Sequence, residues 1–341
     1  MPHSDWGIGL VGLGNIAQHH LEGYKRHGLA VLGGADIRQD QAEATKKRFD
    51  LPFVTTDYRE VIDLPGVRII DINVPHDKLE RRLPIVEYAA EKGKALFIQK
   101  PLMPYLEWAK KLMEVTESHK VPVMVNQNSV FAPGMLLAEK FLRDPDITGT
   151  PYYCQIENRG WVNPGKETYA AKDKRWVHAD MAIHHFALAR HWFGDVESVY
   201  AILGKDPSQE LVRGDTVGVV NLKFKNSVQA AVINNWCYRG NKPRAHSLEE
   251  IVIQGDKATI TLNSSKSVHV KCADGRELTP KVKGEWFPDA FGNAMAHFVN
   301  ALDNNKPFYC DGKDNLKSVA LIEATYISAS ENRVVFPDEL L

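Results

Sequence analysis

An α/β domain built on a parallel sheet, followed by an α+β domain with a large, mostly antiparallel sheet, is the fold class this sequence predicts. Three observations predict it. Strand-like and helix-like segments alternate up to about residue 125, and beyond about 150 the pattern changes to alternating, turn-punctuated runs. The chain also has 341 residues, more than one ordinary hydrophobic core accommodates. The expected domains are 1–125 and 126–341.

In the first part, apolar runs at 6–11, 31–36, 67–74, 95–99 and 121–125 read as strands. Ile69-Ile70-Asp71-Ile72 and Ala95-Leu96-Phe97-Ile98 are almost continuously apolar, as strands covered on both faces must be. Between them, 16–27, 39–49, 77–92 and 105–119 carry helical spacing, and Gly28 and Gly93 stand where helices should stop. A helical piece at 133–143 leads into strands at 151–158, 196–204, 215–224, 227–236, 248–254, 257–263 and 266–272. Lys225-Asn226 and Gly255-Asp256 are the expected hairpin turns. A helical stretch at 177–193 interrupts these strands, and helices at 288–304 and 312–329 close the chain.

Composition narrows the function. With 42 Lys plus Arg against 43 Asp plus Glu, the formal charge is −1, which gives no footprint for nucleic acid or an anionic membrane. Cys154, Cys237, Cys272 and Cys310 lie far apart and form no C-x-x-C pair, so neither a zinc knuckle nor a redox dithiol is expected. No basic region precedes an apolar stretch at the N-terminus, and no apolar run approaches the ~20 residues that span a bilayer. These features point to the cytoplasm and to a small-molecule partner.

The strand Gly7-Ile8-Gly9-Leu10-Val11 runs into Gly12-Leu13-Gly14-Asn15-Ile16-Ala17 and then into a helix. A pyrophosphate-binding turn needs a glycine for the bend, a second where backbone meets phosphate, and a small residue where helix packs on strand. Gly12, Gly14 and Ala17 supply these in order, and the helix amides at Asn15 and Ile16 can face the anion. This is the fingerprint of a Rossmann dinucleotide-binding domain. Asp36, at the end of the second strand, can bind ribose hydroxyls and repel a 2′-phosphate, which favours NAD. Arg38 can instead pair with that phosphate, so NADP stays open.

At Phe97-Ile98-Gln99-Lys100-Pro101-Leu102 a second signature is reached. With the fingerprint, the Asp-x-x-x-His pattern at 180–184 and the closing Ala324-Thr325-Tyr326-Ile327-Ser328-Ala329, the chain resembles the glucose–fructose oxidoreductase, inositol dehydrogenase and rhizopine-catabolism family over nearly its whole length. The resemblance implies that Lys100 is the active-site lysine, able to hydrogen-bond a reacting hydroxyl and stabilise negative charge on its oxygen. Gln99 stands where the family usually has glutamate, so it is expected as a non-titrating hydrogen-bonding contact. Asp180 and His184 are four apart and share one face of a helix. The resemblance makes His184 the base and Asp180 a substrate-binding or orienting group, while His185 is expected to be structural. No metal is expected, because the spacing of His178, Asp180, His184 and His185 is not H-E-x-x-H.

Asp71-Ile72-Asn73-Val74-Pro75-His76 departs from the family's usual stretch here, leaving Asn73, Pro75 and His76 as cofactor neighbours, or as part of a helix start near Asp77. Gln127 and Asn128 offer amides to a polyhydroxylated ligand. The long segment 158–176 is a candidate substrate lid, with Trp161 and Trp176 able to face sugar rings or to pack on the helix that follows. Asn234-Asn235-Trp236 and Tyr238-Arg239-Gly240-Asn241 can approach a substrate or a neighbouring subunit. The reaction implied is hydride transfer between nicotinamide and a secondary alcohol of a sugar, inositol or related polyol. The same family includes glycoside hydrolases that oxidise transiently and a non-catalytic sugar-pathway sensor. Its members also imply a homodimer or homotetramer.

Overall fold

The computed structural model describes residues 6–162, 164–165, 168–242, 247–264 and 266–341. Two compact units divide them. The first comprises the chain up to Phe131 together with Phe287–Leu316, and the second comprises Ala132–Trp286 and Lys317–Leu341.

The first unit holds β1 (Gly7–Val11), β2 (Val31–Ala35), β3 (Val54–Thr55), β4 (Val67–Ile72), β5 (Ala95–Gln99) and β6 (Val123–Asn126). They form one parallel sheet in the order β3-β2-β1-β4-β5-β6. Ile8, Leu10, Ile69, Ile70, Ile72, Leu96, Phe97 and Ile98 are fully buried, as the apolar runs require. Helices α1 (Asn15–His27), α2 (Gln39–Phe49), α3 (Tyr58–Ile62), α4 (Leu79–Glu91) and α5 (Leu106–Ser118) make the crossovers. Gly28, at φ 64°, caps α1 by donating its amide back to Lys25. The strand order reverses between β1 and β4, and ligands of such sheets bind at that switch point, beside the carboxyl ends of the strands.

The second unit holds α6 (Pro133–Leu142), β7 (Pro151–Arg159), α7 (Tyr169–Lys172), α8 (Val177–Asp180) and α9 (Ala182–Phe193). Its other strands are β8 (Val196–Gly204), β9 (Val217–Phe224), β10 (Gln229–Asn235), β11 (Leu248–Gly255), β12 (Ala258–Asn263), β13 (Ser267–Cys272) and β14 (Glu277–Leu278). These eight strands run β14-β13-β12-β11-β7-β10-β9-β8. Burial alternates along β9, β10 and β11, so one face of the sheet carries α8 and α9 and the other stays open.

Several expectations need correction. The sheet is mostly antiparallel, as expected, and carries a parallel pair at its centre, β7 with β10, which alternation does not reveal because it reports the buried face and not strand direction. The expected helix at 177–193 is interrupted at Met181: the His184 amide donates to Met181 O at 3.1 Å, three residues back, so Asp180 ends α8 and His184 lies in the first turn of α9. The short elements β3, α3 and β14 were not anticipated, having too few residues to show a period. The helix α10 (Asp289–Asp303) belongs to the first unit, whereas the sequence placed everything beyond 126 in the second. A Cβ on Gly23 would stand 2.6 Å from the Gly292 nitrogen, and one on Gly292 2.6 Å from Gly23 O. Only glycine lets α1 and α10 approach backbone to backbone in this way. The last helix is α11 (Gly312–Glu331).

Candidate active site

The turn after β1 has the geometry a dinucleotide needs. Gly12 takes φ +89°, and a Cβ there would press on the Asn73 carbonyl carbon at 2.9 Å. Around Gly14 a Cβ would meet nothing within 4 Å, so the backbone is open to an approaching group. Gly14 is the N-cap of α1 and brings no side-chain cap, and the first turn carries no acid, which leaves the helix's amide end to an anion. Asn15 is exposed, Ile16 half-buried and Ala17 buried under the sheet.

Asp36 is held from both oxygens: Oδ2 accepts the Leu13 amide at 2.9 Å and Oδ1 the Arg38 amide at 3.0 Å. That ties the carboxylate to the phosphate turn itself. The Arg38 guanidinium lies 3.9 Å from Asp36 Oδ1 and donates to Gln41 Oε1 at 2.9 Å. Between them Ile37 is 92% exposed, an apolar surface that the sequence reading passed over because nothing marks a lone isoleucine. These residues fit an NAD molecule laid across the turn.

The segment carrying Lys100 is braced from two sides. Gln99 is buried at the end of β5, and its Oε1 accepts the Lys100 amide at 3.1 Å and Asn126 Nδ2 at 3.0 Å. Asn126 also meets His20 Nε2 at 3.2 Å, while His20 Nδ1 and the Tyr24 hydroxyl converge on Asp71 Oδ2 at 2.8 and 2.7 Å. Burial and then the Asp71 charge hold the Tyr24 phenol well above its ordinary range, so it acts as the donor. Gln99 therefore spends its carbonyl on the protein, and its neutrality matches the two donors it faces.

Arg82 supplies the second brace, and no sequence motif revealed it. Its side chain is 1% exposed; Nε donates to Val74 O at 2.9 Å, and Nη1 to Pro101 O at 2.6 Å and Leu102 O at 2.9 Å. Burial pulls its pKa down to about 9, against the opposing pull of Asp77. A buried cation is costly, and this one joins the loop after β4 to the loop after β5. Asn73, Pro75 and His76 lie on the first of these loops, and Lys100 opens the second. Asn73 is half-buried, Pro75 exposed and His76 half-buried. At the end of β6, Gln127 is fully buried and neither atom of its amide finds a partner among the described residues. Asn128 opens the 3-10 turn Asn128–Phe131.

In the second unit, His184 is 7% exposed and its imidazole stands edge-on to Trp286, ring centroids 6.4 Å apart at 87°. Asp180 is half-buried. Trp286 was missed, lying 102 positions from His184 in a stretch without motif. His185 is buried and pairs with Glu249 Oε2 at 2.9 Å. Trp176 is 3% exposed in a cluster with Val177 and Val212, against which Val162, Met181 and Trp236 pack, so its ring serves the core of this unit. Trp161 is half-buried with the Arg239 guanidinium over its ring at 4.8 Å. The expected lid at 158–176 falls partly outside the described residues.

The segment entering α8 is tied down through Asp215. That carboxylate accepts the Trp176 amide at 3.1 Å, the His178 amide at 3.0 Å, His178 Nδ1 at 2.5 Å and the Tyr326 hydroxyl at 2.5 Å. Burial raises its pKa, but the His178 charge and these four hydrogen bonds outweigh burial and bring it to about 2. Arg175 forks onto both oxygens of Glu323 at 2.7 and 2.6 Å, fixing the same segment to α11.

Among the described residues no group of three or more His, Cys, Asp or Glu could hold a metal ion, and no helix is long and apolar enough to cross a membrane. Among the described residues no cysteine forms a disulfide.

A family model for the NAD-binding Rossmann fold of an oxidoreductase family matches residues 6–127, and the model for its C-terminal alpha/beta domain matches residues 147–336. A D-apiose dehydrogenase of Paraburkholderia graminis is 26% identical over 338 residues, covering 96% of this chain and 88% of that protein. An inositol 2-dehydrogenase of Rhizobium meliloti is 25% identical over 345 residues, covering 96% of this chain and 98% of that protein. Among solved structures, an oxidoreductase from Agrobacterium radiobacter in complex with NAD+, L-tartaric acid and magnesium shares the fold with a TM-score of 0.87 at 22% identity, covering 99% of this chain and 100% of that one.

Proposed function

The chain belongs to the glucose–fructose oxidoreductase, inositol dehydrogenase and rhizopine-catabolism family of NAD-binding oxidoreductases, and on that premise we propose that it transfers hydride between nicotinamide and a secondary alcohol of a sugar, an inositol or a related polyol. The observation that carries this reading is Lys100 at the carboxyl end of β5, its segment braced by Gln99 and Arg82, in the same unit as the Asp36-locked phosphate turn.

Gly12, Gly14, Asn15, Ile16 and Ala17 would hold the pyrophosphate of NAD and Asp36, beside Arg38, its ribose hydroxyls, and the bound cofactor would supply the hydride acceptor. Asn73, Pro75, His76 and Gln99 would border its nicotinamide end. Lys100 hydrogen-bonds the reacting hydroxyl and stabilises charge as it develops on that oxygen. His184 takes the proton on oxidation and returns it on reduction, with Asp180 orienting the imidazole or the substrate. Gln127 and Asn128 offer amide contacts to further hydroxyls, and Trp286 and Trp161 offer ring faces. Trp176 is left out of the substrate contacts because the core of its unit holds it.

For the assembly, we infer a cytoplasmic homodimer or homotetramer. Its support is the open face of the second sheet, where Ile202, 63% exposed, pairs in register with Val219, and Val219 with Ile233. Cysteines outside any disulfide suit a reducing compartment.

A polyol panel assayed with NAD and NADP separately tests the reaction. The expected result is reduced nicotinamide accumulating with the oxidised sugar. Released sugar with no net cofactor change would instead make the enzyme a glycoside hydrolase, and binding without any exchange would make it a sensor.

A further inference from the structure

The face of the second sheet that carries α8 and α9 holds a row of polar residues that the mechanism does not use. Gly218 on β9, Asn234 on β10, Asn158 on β7 and Glu249 on β11 lie side by side in register. Asn158, Asn234 and Glu249 are buried, so they turn to the same face.

One end of the row is closed. Asn158 Nδ2 donates to Ser247 Oγ at 2.9 Å and to Glu249 Oε2 at 3.2 Å, and its Oδ1 accepts the Trp236 indole N–H at 3.0 Å. Glu249 Oε2 also meets His185.

The other end is open. Asn234 is fully buried, and neither its Oδ1 nor its Nδ2 has a hydrogen-bond partner among the described residues. Beside it, the His178 imidazole and the tip of Leu203 fill the space a Gly218 side chain would take: a Cβ there would lie 2.5 Å from Leu203 Cδ2, 2.6 Å from His178 Cε1 and 2.9 Å from Nε2. His178 Nδ1 is committed to Asp215, whereas Nε2 is buried and has no partner among the described residues. With Nδ1 on Asp215, Nε2 accepts when the ring is neutral and donates when it is charged.

Directly opposed residues of an antiparallel ladder are ~4.5–5.5 Å apart at Cα, so Nε2 and the Asn234 amide lie within reach of one bridging group. Three buried atoms, the amide's donor and acceptor and an Nε2 that takes either part, call for a partner that both donates and accepts. A hydroxyl does both. α8 and α9, which end at Asp180 and begin before His184, pack over β10 at this place.

We propose that His178 Nε2 and the Asn234 amide form a subsite for one hydroxyl of the polyol substrate, next to the helices that present Asp180 and His184. The subsite rests on the dehydrogenase reading. Asp215 and Tyr326 act through His178, holding its ring with Nε2 toward Asn234. The sheet leaves a glycine at 218 because a side chain there would displace that ring.

The test uses Asn234→Leu, which has similar volume and no polar atoms, with NAD, myo-inositol, D-xylose and D-glucose, and the monodeoxy analogues of whichever is turned over. Removing an unsatisfied buried amide should raise the thermal midpoint of the ligand-free protein while weakening calorimetric binding of the polyol to the NADH complex. In the wild type, one monodeoxy analogue should lose on the order of 100-fold in kcat/KM against its parent; in Asn234→Leu that analogue and its parent should react alike. Gly218→Ala, which leaves Asn234 in place and moves His178, should show the same loss of discrimination. Unchanged discrimination in both variants would make the partner a trapped water and overturn the subsite while leaving the dehydrogenase standing. A wild type that turns over no polyol overturns both.

Discussion

The two units hold their chemistry by different means. In the first, the groups proposed to meet the dinucleotide are main-chain amides and a carboxylate that accepts them, drawn from Gly12 to Arg38, and the Leu13–Asp36 bond spans 23 positions. In the second, side chains hold one another across the fold: His178 and Asp215 are 37 apart, Asn158 and Glu249 91, and Asp215 and Tyr326 111. A backbone site has to be written locally, as glycines beside a strand. A side-chain site can draw on any strand whose register brings it alongside, so it leaves no motif.

Arg82 is where that contrast is easiest to break, because it is a side-chain brace inside the backbone-built unit. Arg82→Met should cost about 3 kcal/mol in denaturant unfolding, from three carbonyls left unpaired at ~1 kcal/mol each. It should also weaken NAD binding if, as proposed, the two loops it joins border the nicotinamide end. Arg82→Lys keeps the charge without the fork and should recover only part of the loss. Full stability in Arg82→Met would show that the loops hold themselves.

The second unit makes a prediction about pH. The Asp215 carboxyl falls from an ordinary 3.8 to about 2 in the folded chain. A depressed carboxyl stabilises the fold above its unfolded pKa, and the contribution disappears as pH drops through the folded value. It is worth ~2 kcal/mol at neutral pH and should fade between about pH 4 and pH 2. Unfolding curves of wild type and Asp215→Asn should therefore lie furthest apart near neutrality and converge across that window. A gap independent of pH would assign the loss to packing.

The smallest effect belongs to Asp36. Asp36→Ser removes the repulsion of a 2′-phosphate and leaves Arg38 in place, so the ratio of NAD to NADP in kcat/KM should drop roughly tenfold, ~1.4 kcal/mol. An unchanged ratio would mean that the turn, and not the carboxylate, sets the preference.

Legibility in the sequence follows the same division. The apolar runs located the strands β1, β2, β4, β5 and β6 and the long helices around them, because a strand buried on both faces leaves a mark in composition. The same reading had no means of returning α10 to the first unit, since that depends on Gly23 meeting Gly292 across most of the chain. Asp180 and His184 were legible as an i, i+4 pair, but the break at Met181 was not, because Asp180-Met181-Ala182-Ile183 contains neither glycine nor proline. Trp286, Arg82 and the Asn234 row escaped for one reason: each owes its place to packing partners far away in sequence. Trp176 misled in the other direction, since an aromatic residue in a polar segment reads as a sugar platform until its burial is known.

Lys100 is proposed to act on the reacting oxygen and not on the cofactor's grip. Lys100→Met, titrated with NAD and then assayed for reduced nicotinamide with the polyol that the wild type oxidises, measures both in one protein. An NAD affinity close to that of the wild type is expected, with turnover lower by on the order of 10²–10³-fold. Turnover near the wild-type rate, or a loss explained entirely by weaker NAD binding, would contradict it.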